Sequence, residues 1–395
     1  MGNPERDGAP AETAASIHEF YTASSWIEGA ATEQLRQVAN LPGVRQIAAF
    51  PDLHPGTFGP IGCAVLSERL YPQLIGNDIG CGMSLFALDL PRSKLRLDRA
   101  AQKLRVLESA WSGNAAGYLA EAGLPSDAFS EAIGSIGGGN HFCELQVIEE
   151  ITDDAASGHD LAPQTLLLFV HSGSRGFGTH VFRSVVERFA DGLEQGSTAA
   201  NRYLDDHDRA VAWASLNRRI IALRAAVALR ADIRTVVDSP HNVVERQGDL
   251  FLHRKGAAVA TTPLVPLAGS RDSLSFLLKP TGCKPEALAS LSHGSGRKYD
   301  RKSMLGRVGS TRSDRERLLR TSFGGRVICD DRQLLIEEAP DAYKNSAHVC
   351  DDLVSHGLAT CVASLQPLIT FKKATEPEGT ESWKRQRKDH GRKWR

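Results

Sequence analysis

The spacing of apolar residues divides the first part of the chain into short strands and two helices. Residues 31–40 show helical spacing and end at a Leu-Pro-Gly turn, and the apolar run at 44–56 predicts a strand that leads into a loop. Between residues 51 and 90, short apolar runs are broken by glycine, proline and asparagine, as is typical of strands joined by tight turns. Residues 93–111 predict a second helix.

The middle of the chain carries the longest helical pattern, at residues 181–236. Within it, residues 208–233 place apolar side chains three and four positions apart, as an amphipathic helix does. The fully apolar run 165–170 predicts a buried strand that ends in a polar, glycine-rich loop at His171. Strands and glycine-rich loops return from residue 241 to residue 300.

These patterns predict an α+β fold built as one large mixed α/β domain. No linker rich in proline, glycine and serine divides the middle of the chain, so we assign a single domain to residues 1–373. Residues 374–395 are polar and end in basic side chains, which predicts a flexible C-terminal tail.

Composition and charge narrow the class of protein. The chain has 395 residues, of which 41% are hydrophobic and 24% charged, as in an ordinary soluble globular protein. Lys+Arg and Asp+Glu both number 47, so a site for a polyanion must be a local patch. The first residues lack the apolar stretch of a signal peptide and no run is long enough to span a bilayer, so we expect a cytoplasmic protein without membrane contact.

Candidate chemistry lies in glycine-rich segments that carry metal-binding side chains. The segment "NDIGCG" contributes Asp78 and Cys81, and six histidines occupy loop-like positions: His54, His141, His171, His241, His253 and His293. Imidazole, thiolate and carboxylate together suit a transition metal, and one thiolate can bridge two cations. For any single histidine, a hydrogen-bonded structural role is the more common alternative.

The remaining cysteines give no sign of special chemistry. Seven scattered cysteines, an odd number, favour reduced thiols over a disulfide framework. We expect six of them to act as small apolar core residues: Cys63, Cys143, Cys283, Cys329, Cys350 and Cys361.

The order of the motifs resembles a known family. The segments "PDLHPGTFGPIG", "NDIGCG", "GSIGGGNHFCE", "VHSGSRGFG", "HNVVE", "HRKGA", "SHGSGR" and "EEAPDAYK" occur in the order seen in RtcB-type RNA ligases, from about Trp26 to Lys373. These enzymes use GTP and manganese to join RNA 3′-phosphate or 2′,3′-cyclic phosphate ends to 5′-hydroxyl ends. The resemblance implies β-sheets around a central cleft for metal and nucleotide, with two Mn²⁺ ions and GTP as cofactors. Departures such as Asn77, Gly80 and Ala268 indicate a divergent branch.

The resemblance also implies roles for individual residues. His293 matches the catalytic histidine that becomes guanylylated. The implied metal ligands are Asp78, Cys81, His141, His171 and His241, with Cys81 as the bridging thiolate. The implied nucleotide contacts are Asn140, Glu144, Ser270, Ser275, Gly294, Ser295, Gly296, Tyr343 and Lys372, with Lys373 as the alternative to Lys372.

Basic side chains supply candidate phosphate contacts. Four lie in the motif loops, with a solvated surface position as the alternative for each: Arg175, Arg254, Lys255 and Arg297. The tail at 374–395 combines basic residues with two tryptophans, which favours RNA binding, although a solubilising tail has a similar composition.

Two other functions compete with RNA ligation. A metal-dependent phosphohydrolase, such as a cyclic phosphodiesterase, would use the same metal ligands without a covalent step at His293. A non-catalytic protein that binds RNA ends or ribosomes would use the cleft without turnover. For a ligase we expect RNA with broken ends as substrate, including tRNA or rRNA, an accessory activating protein as a candidate partner, and a monomeric state.

Overall fold

The computed structural model describes residues 15–186, 191–309 and 311–373. The predicted basic tail and its role in RNA binding lie outside the described residues. The strands are β1 (Ser16–Glu19), β2 (Val44–His54), β3 (Ile61–Ser67), β4 (Gly82–Leu88), β5 (Phe142–Ile151), β6 (Leu166–Ser172), β7 (Ile233–Pro240), β8 (Asn242–Gln247), β9 (Leu250–Lys255), β10 (Ala257–Val259), β11 (Val265–Leu267), β12 (Ser275–Pro280), β13 (Ser290–Ser292), β14 (Arg326–Ile328) and β15 (Ala359–Phe371). The helices are α1 (Gly29–Ala39), α2 (Leu97–Leu104), α3 (Ala115–Glu121), α4 (Gly176–Val186), α5 (Thr198–Leu229), α6 (Arg301–Met304), α7 (Arg312–Leu318), α8 (Arg332–Glu337) and α9 (Ser346–Ser355).

The strands form two main sheets. One has the order β1-β2-β3-β9-β8, and the larger has the order β11-β12-β15-β5-β6-β4-β7, with β14 paired to β15. The end strands β11 and β7 of the larger sheet contact each other, so the sheet curls around an inner face. Strands β10 and β13 pair separately. This mixed architecture confirms the predicted α+β fold class. Within the described residues, no helix has the length and apolar character needed to cross a membrane.

The larger sheet is buried on both faces, which explains the uninterrupted apolar run in β6. Leu166, Leu168 and Val170 pack toward α5, in one hydrophobic cluster with Ile221. Leu167 and Phe169 point to the inner face of the curled sheet and pack in a second cluster. Because side chains alternate along a strand, His171 continues the inner row that begins at Leu167. His171 is therefore the last inner-facing residue of a buried strand, and the prediction of a loop position for it is wrong.

The long helical pattern ends earlier than predicted. Helix α5 begins after Ser197, whose side chain accepts a hydrogen bond from the amide of Ala200. It ends at Arg230, which adopts a left-handed conformation with φ of 62°. Residues 233–236 belong to strand β7, so the predicted helix over 181–236 is wrong at its C-terminal end. The same window includes the end of the separate helix α4.

Other predicted elements differ in extent. The helix predicted at 93–111 is confirmed only over Leu97–Leu104, and a 3₁₀ turn follows it to Glu108. His253 lies inside strand β9 and not in a loop. Its ring accepts a hydrogen bond from the amide of Tyr71 and contacts the carbonyl oxygen of Val65, so it is a buried structural histidine. The strands and turns predicted over 51–90 and 241–300 are confirmed.

Candidate active site

The inner face of the larger sheet opens into a cleft of about 730 Å³. Rows of inner-facing side chains lead into the cleft from neighbouring strands. On β4 the row runs from Leu85 to Met83 and continues to Cys81, which lies just before the strand. On β5 it runs from Ile148 through Gln146 and Glu144 to Phe142. The rows are apolar deep in the sheet and become polar or metal-binding at the cleft. Alternation along the strands therefore delivers side chains that are far apart in sequence to one site.

Two of the predicted metal ligands, His141 and His171, contact the thiol of Cys81, and Asp78 and His241 lie beside these two histidines. Its Sγ lies 3.3 Å from Nε2 of His141 and 3.2 Å from Nε2 of His171. Nε2 of His171 lies 3.3 Å from Nε2 of His241, and Nε2 of His141 lies 3.0 Å from Oδ2 of Asp78. Among the described residues, the ligand atoms of Cys81, His141 and His171 lie within 4.8 Å of one another, and this combination of sulfur and imidazole suits a transition-metal ion.

Burial sets the protonation of this cluster. It lowers the pKa of His171 and His241 well below the ordinary range, with further lowering by neighbouring histidines, so both imidazoles are neutral. Burial raises the pKa of Cys81 well above its usual value, and the Asp78 carboxylate raises it further. Burial alone would raise the pKa of Asp78, but His141 outweighs it and the pKa lies below the ordinary value. Neutral imidazoles are ready to bind a cation, and a bound cation would keep the thiol ionised. A metal cofactor therefore fits these residues.

One buried arginine ties together three of the ligand-bearing segments. Arg218 of α5 donates to the carbonyl oxygen of Gly80 at 2.8 Å, next to Cys81, and to that of Ser172 at 3.0 Å, next to His171. Its Nε also pairs at 2.8 Å with Asp238, three residues before His241. The arginine is fully buried, and the sequence predicted only an amphipathic helix at this position.

The adjacent residue of α5 ties in the fourth segment. Asn217 accepts a hydrogen bond from the amide of Gly134 at 2.7 Å and donates to the carbonyl oxygen of Ser135 at 3.0 Å. It also donates to the hydroxyl of Ser172 at 3.1 Å. The loop that carries His141 is thereby fixed to the end of strand β6.

His293 lies beside the metal-binding cluster, with its ring centroid 4.5 Å from that of His241. Its Nδ1 lies 2.7 Å from a carboxylate oxygen of Asp52 and 2.6 Å from the carbonyl oxygen of Gly256. Both neighbours are acceptors, so Nδ1 carries the proton and Nε2 keeps its lone pair. Asp52 is fully buried, and sequence reasoning did not identify it. The sequence feature that could have identified Asp52 is its position in the motif "PDLHPG".

The predicted nucleotide contacts line the cleft, with one exception. Eight of the nine predicted contacts line its walls, and seven of these are Asn140, Ser270, Gly294, Ser295, Gly296, Tyr343 and Lys372. Glu144 also lines it and accepts hydrogen bonds from Thr370 and Gln146, each at 2.7 Å. Burial raises the pKa of Glu144 despite these bonds. Ser275 lies behind the wall, where its hydroxyl accepts a hydrogen bond from the amide of Gly269 at 3.0 Å. Lys372 faces the cleft, whereas the alternative, Lys373, donates to the carbonyl oxygen of Glu108.

A buried carboxylate that sequence reasoning missed organises the cationic wall of the cleft. Glu338 lies 3.0 Å from Arg297, 3.3 Å from Arg301 and 3.5 Å from Lys372, and it accepts a hydrogen bond from Tyr343. Burial would raise its pKa, but these cations outweigh burial and hold the pKa at about 2. Three cations around one carboxylate leave this wall positive.

The predicted phosphate contacts divide into three outcomes. Lys255 and Arg297 line the cleft, and burial lowers the pKa of Lys255 to about 8. Arg175 lines a second cavity of about 790 Å³ that shares Arg301 with the first. Arg254 is fully buried and pairs with Glu245 at 2.8 Å, so its prediction as a phosphate contact is wrong.

One cysteine departs from the predicted core role. Cys283 is exposed, so its prediction as a core residue is wrong. Its thiol donates to the carbonyl oxygen of Thr281 at 3.4 Å in the loop after β12. The other five are buried or, for Cys361, half-buried.

Comparison with known proteins shows which family this chain resembles. The model of the family described as tRNA-splicing ligase RtcB matches residues 34–121 and 124–373. The RNA-splicing ligase RtcB2 of Escherichia coli is 42% identical over 90% of this chain and 95% of its own length. A second E. coli protein, RNA-splicing ligase RtcB1, is 26% identical over 83% of this chain and 90% of its own. The tRNA-splicing ligase RtcB of Methanococcus maripaludis is 26% identical over 86% and 91%.

Proposed function

The chain belongs to the RtcB family and is an RNA ligase, and from this premise we propose that it joins RNA 3′-phosphate or 2′,3′-cyclic phosphate ends to 5′-hydroxyl ends through a guanylylated His293. The substrate would be RNA with broken ends, and tRNA, which the names of several relatives mention, is one candidate. GTP would supply the guanylyl group. An accessory activating protein, a monomeric state and a cytoplasmic location remain predictions.

The observation that carries the proposal is the orientation of His293. Asp52 and Gly256 engage Nδ1, which leaves Nε2 as the free nucleophilic atom of a buried imidazole. Nε2 would form a bond to the α-phosphorus of GTP while the bond to pyrophosphate breaks. The Asp52 carboxylate would hold the Nδ1 proton and stabilise the positive charge that develops on the ring.

The side chains around His293 suit a guanine nucleotide. Gly294 and Gly296 flank the nucleophile, and a Cβ at Gly296 would lie 2.2 Å from the carbonyl oxygen of Asp52, so only glycine fits this turn. The cationic wall with Lys372 would face the phosphates. The Glu144 carboxylate would accept hydrogen bonds from the N1 and N2 groups of guanine. Adenine lacks the N2 donor and would leave this buried group with fewer partners.

The proposed metal ligands divide between two Mn²⁺ ions. Asp78, Cys81 and His141 would hold one ion, and Cys81, His171 and His241 the other, with the sulfur shared. Bound cations would neutralise charge on the attacked phosphoryl group and the leaving group. The protein contributes the geometry, since Arg218 and Asn217 fix the backbone of these segments.

In the second stage, the guanylyl group would pass from His293 to the RNA 3′-phosphate. A bare 3′-phosphate has no good leaving group, and guanylylation provides one. Attack by the 5′-hydroxyl would then form the phosphodiester bond and release GMP. Lys255 and Arg297, which line the cleft, would contact the phosphates of the RNA ends.

Labelling of the protein tests the covalent step. Incubation with α-labelled GTP and Mn²⁺ followed by denaturation should leave acid-labile label on the wild type and none on His293→Ala. A nicked RNA with a 3′-phosphate and a 5′-hydroxyl should be joined by the wild type, and not by His293→Ala or Cys81→Ala. Cys143→Ala is the matched control, because Cys143 is equally buried but faces the α5 side of the sheet.

The outcomes separate the competing functions. Cys81→Ala should strongly weaken metal binding, measured on the unlabelled protein, whereas His293→Ala should not. Cleavage of cyclic phosphate without labelling under any divalent metal would favour the phosphohydrolase. Tight RNA binding without turnover would favour a non-catalytic binding protein.

A further inference from the structure

An exposed cluster of aromatic and cationic side chains lies next to the cleft. The side chain of Trp26 is 52% exposed, and its ring meets that of Tyr299 edge to face, with 6.4 Å between centroids. Nζ of Lys298 lies 4.9 Å from the Trp26 ring and 5.3 Å from the Tyr299 ring. The guanidinium of Arg307 lies 3.7 Å from the Tyr299 ring. A tryptophan that stays half-exposed among cations adds little to the core and is typical of a binding surface.

The backbone connects this cluster directly to the nucleophile. Six residues separate Tyr299 from His293, so their Cα atoms are at most roughly 20 Å apart. The amides of Lys298 and Tyr299 donate to the carbonyl oxygen of Ala342, at 2.8 Å and 3.3 Å, which fixes the segment against the residue that precedes Tyr343. The residues that follow, Asp300 to Lys302, line the cleft itself. The cluster therefore lies within a few nucleotides of the joining site.

The charge of this segment is strongly positive although the whole chain is neutral. Residues 297–307 contain Arg297, Lys298, Arg301, Lys302 and Arg307, and Asp300 is the one acidic residue among them. Side chains that combine local positive charge with exposed rings are those that bind single-stranded nucleic acid, because cations attract phosphates and bases stack on rings. A duplex would bury its bases and gain nothing from the rings.

We propose that Trp26, Lys298 and Tyr299 form a platform on which a base of the RNA substrate stacks as the strand enters the cleft. This inference rests on the proposed RNA-joining function. It adds a second binding site for the RNA strand, at a distance from the ends that are joined. Lys298 contacts an adjacent phosphate, and Arg301 and Lys302 continue the positive path into the cleft. Stacking on the rings is insensitive to base identity, so the platform binds any sequence.

The test is the affinity of the full-length protein for a single-stranded RNA of ten nucleotides that ends in a 3′-phosphate. Trp26→Ala should weaken binding about tenfold, as expected for the loss of one stacked base. Trp26→Phe should recover most of the affinity because it keeps a ring. Lys298→Ala should reduce the slope of log affinity against log salt by about 0.7, the value for one phosphate contact.

Trp111 offers a matched control. It also packs against a tyrosine, Tyr118, with 5.6 Å between ring centroids, but it belongs to a hydrophobic cluster away from the cleft lining. Trp111→Ala should leave RNA affinity unchanged, whatever its effect on the melting temperature. RNA should also quench the fluorescence of the wild type, and this quenching should be smaller in Trp26→Ala.

The outcomes distinguish the platform from the function on which it rests. Labelling of wild-type His293 by GTP, without RNA, tests the proposed function alone. Normal labelling together with unchanged RNA affinity in Trp26→Ala and an unchanged salt slope in Lys298→Ala would overturn the platform and leave the ligase proposal standing. An equal loss of affinity in Trp26→Ala and Trp111→Ala would also overturn it. Lys298→Ala removes a half-buried cation and no side chain of the hydrophobic core. Its salt slope therefore decides the question even if Trp26→Ala folds poorly.

Discussion

Two buried charge networks border the cleft, and they differ in how their charges are balanced. The floor network consists of Arg218, Asp238, Ser84 and Ser215, in which one guanidinium meets one carboxylate and two backbone carbonyls. The wall network consists of Glu338, Arg297, Arg301, Lys372 and Tyr343, in which one carboxylate meets three cations. In the floor network the charges are balanced, and its hydrogen bonds order the backbone beneath the proposed metal ligands. The wall network keeps an excess of positive charge at the surface of the cleft, where a polyanion can use it.

The largest effect should follow from removal of the floor cation. Arg218→Met leaves Asp238 without its partner and frees three ligand-bearing segments, so we expect a loss of about 3–5 kcal/mol in the free energy of unfolding. Metal affinity, measured by titration of the purified protein, should fall at least tenfold. Urea denaturation monitored by circular dichroism measures the stability.

Arg224 provides the control for this prediction. It lies on the same helix, is also buried and donates to the carbonyl oxygens of Gly134, Val106 and Ser109. Arg224→Met should destabilise the protein by about 1–3 kcal/mol, since it leaves carbonyls and no charge unpaired. Metal affinity should fall less than in Arg218→Met, because Asn217 still holds the loop that carries His141. An equal fall of metal affinity in both variants would contradict a specific role for Arg218.

The next largest effect should follow from removal of the wall carboxylate. The pKa of Glu338 is about 2 in the folded protein, below its ordinary value of 4.5. Its stabilisation is therefore present above about pH 4.5 and is lost as the pH falls toward 2. Glu338→Gln should lower the free energy of unfolding by about 3 kcal/mol at pH 7, and the difference from wild type should narrow below pH 4.5.

Urea denaturation between pH 7 and pH 3.5 measures this narrowing. The neighbouring substitution Glu337→Gln is the control, because the Glu337 carboxylate contacts Gln333 and none of the cations of the wall network. It should change stability by less than about 0.5 kcal/mol. If the difference in free energy of unfolding between Glu338→Gln and wild type stays constant with pH, the carboxylate acts through packing and not through charge.

An intermediate effect is expected at Asp52, whose partner is His293, the proposed nucleophile. Asp52→Asn keeps an acceptor for Nδ1 of His293 but removes the charge that stabilises the ring. We expect the single-turnover rate of His293 labelling by GTP to fall by roughly 100-fold, less than in His293→Ala, because Gly256 still accepts from Nδ1. An unchanged rate at saturating GTP would contradict the role of this carboxylate.

The smallest effect on stability should occur at the exposed edge of the wall network. The side chain of Arg301 is 48% exposed, so its ion pair with Glu338 is screened by water. Arg301→Ala should change the free energy of unfolding by less than about 0.5 kcal/mol, but should lower the salt slope of RNA affinity by about 0.7. If Arg301→Ala lost as much stability as Glu338→Gln, the exposed cation would contribute to folding, which would contradict its predicted role in RNA binding alone.

The sequence predicted the candidate site residues better than the buried side chains that position them. Cys81, His171 and His293 occupy glycine-rich motifs in a recognisable order, and the structure brings all three to one cleft. Asp52 lies in a recognisable motif, but its partner His293 is 241 positions away, and the motif does not indicate which residue the carboxylate contacts. The periodic patterns of helices and strands relate residues only a few positions apart, so they cannot predict a contact over this sequence separation.

Helix α5 shows why Arg218 escaped prediction. An amphipathic pattern assigns charged residues to solvent, yet this helix is buried over much of its circumference, including both Asn217 and Arg218. Only the partners, which lie on β7 and at the ends of β4 and β6, distinguish a structural arginine from a solvated one. The end of the helix escaped for a similar reason, because Arg230 takes a left-handed conformation that favours glycine.

The order of strands β6-β4-β7 in the larger sheet has a consequence for biosynthesis. The amide of His241 donates to the carbonyl oxygen of Cys81 at 2.8 Å, so these two residues meet only after β7 has paired with β4. A nascent chain that has left the ribosome only as far as β6 holds the Cys81 thiol, His141 and His171 but lacks His241. His241 can therefore join the cluster of potential metal ligands only after the middle third of the protein has been synthesised.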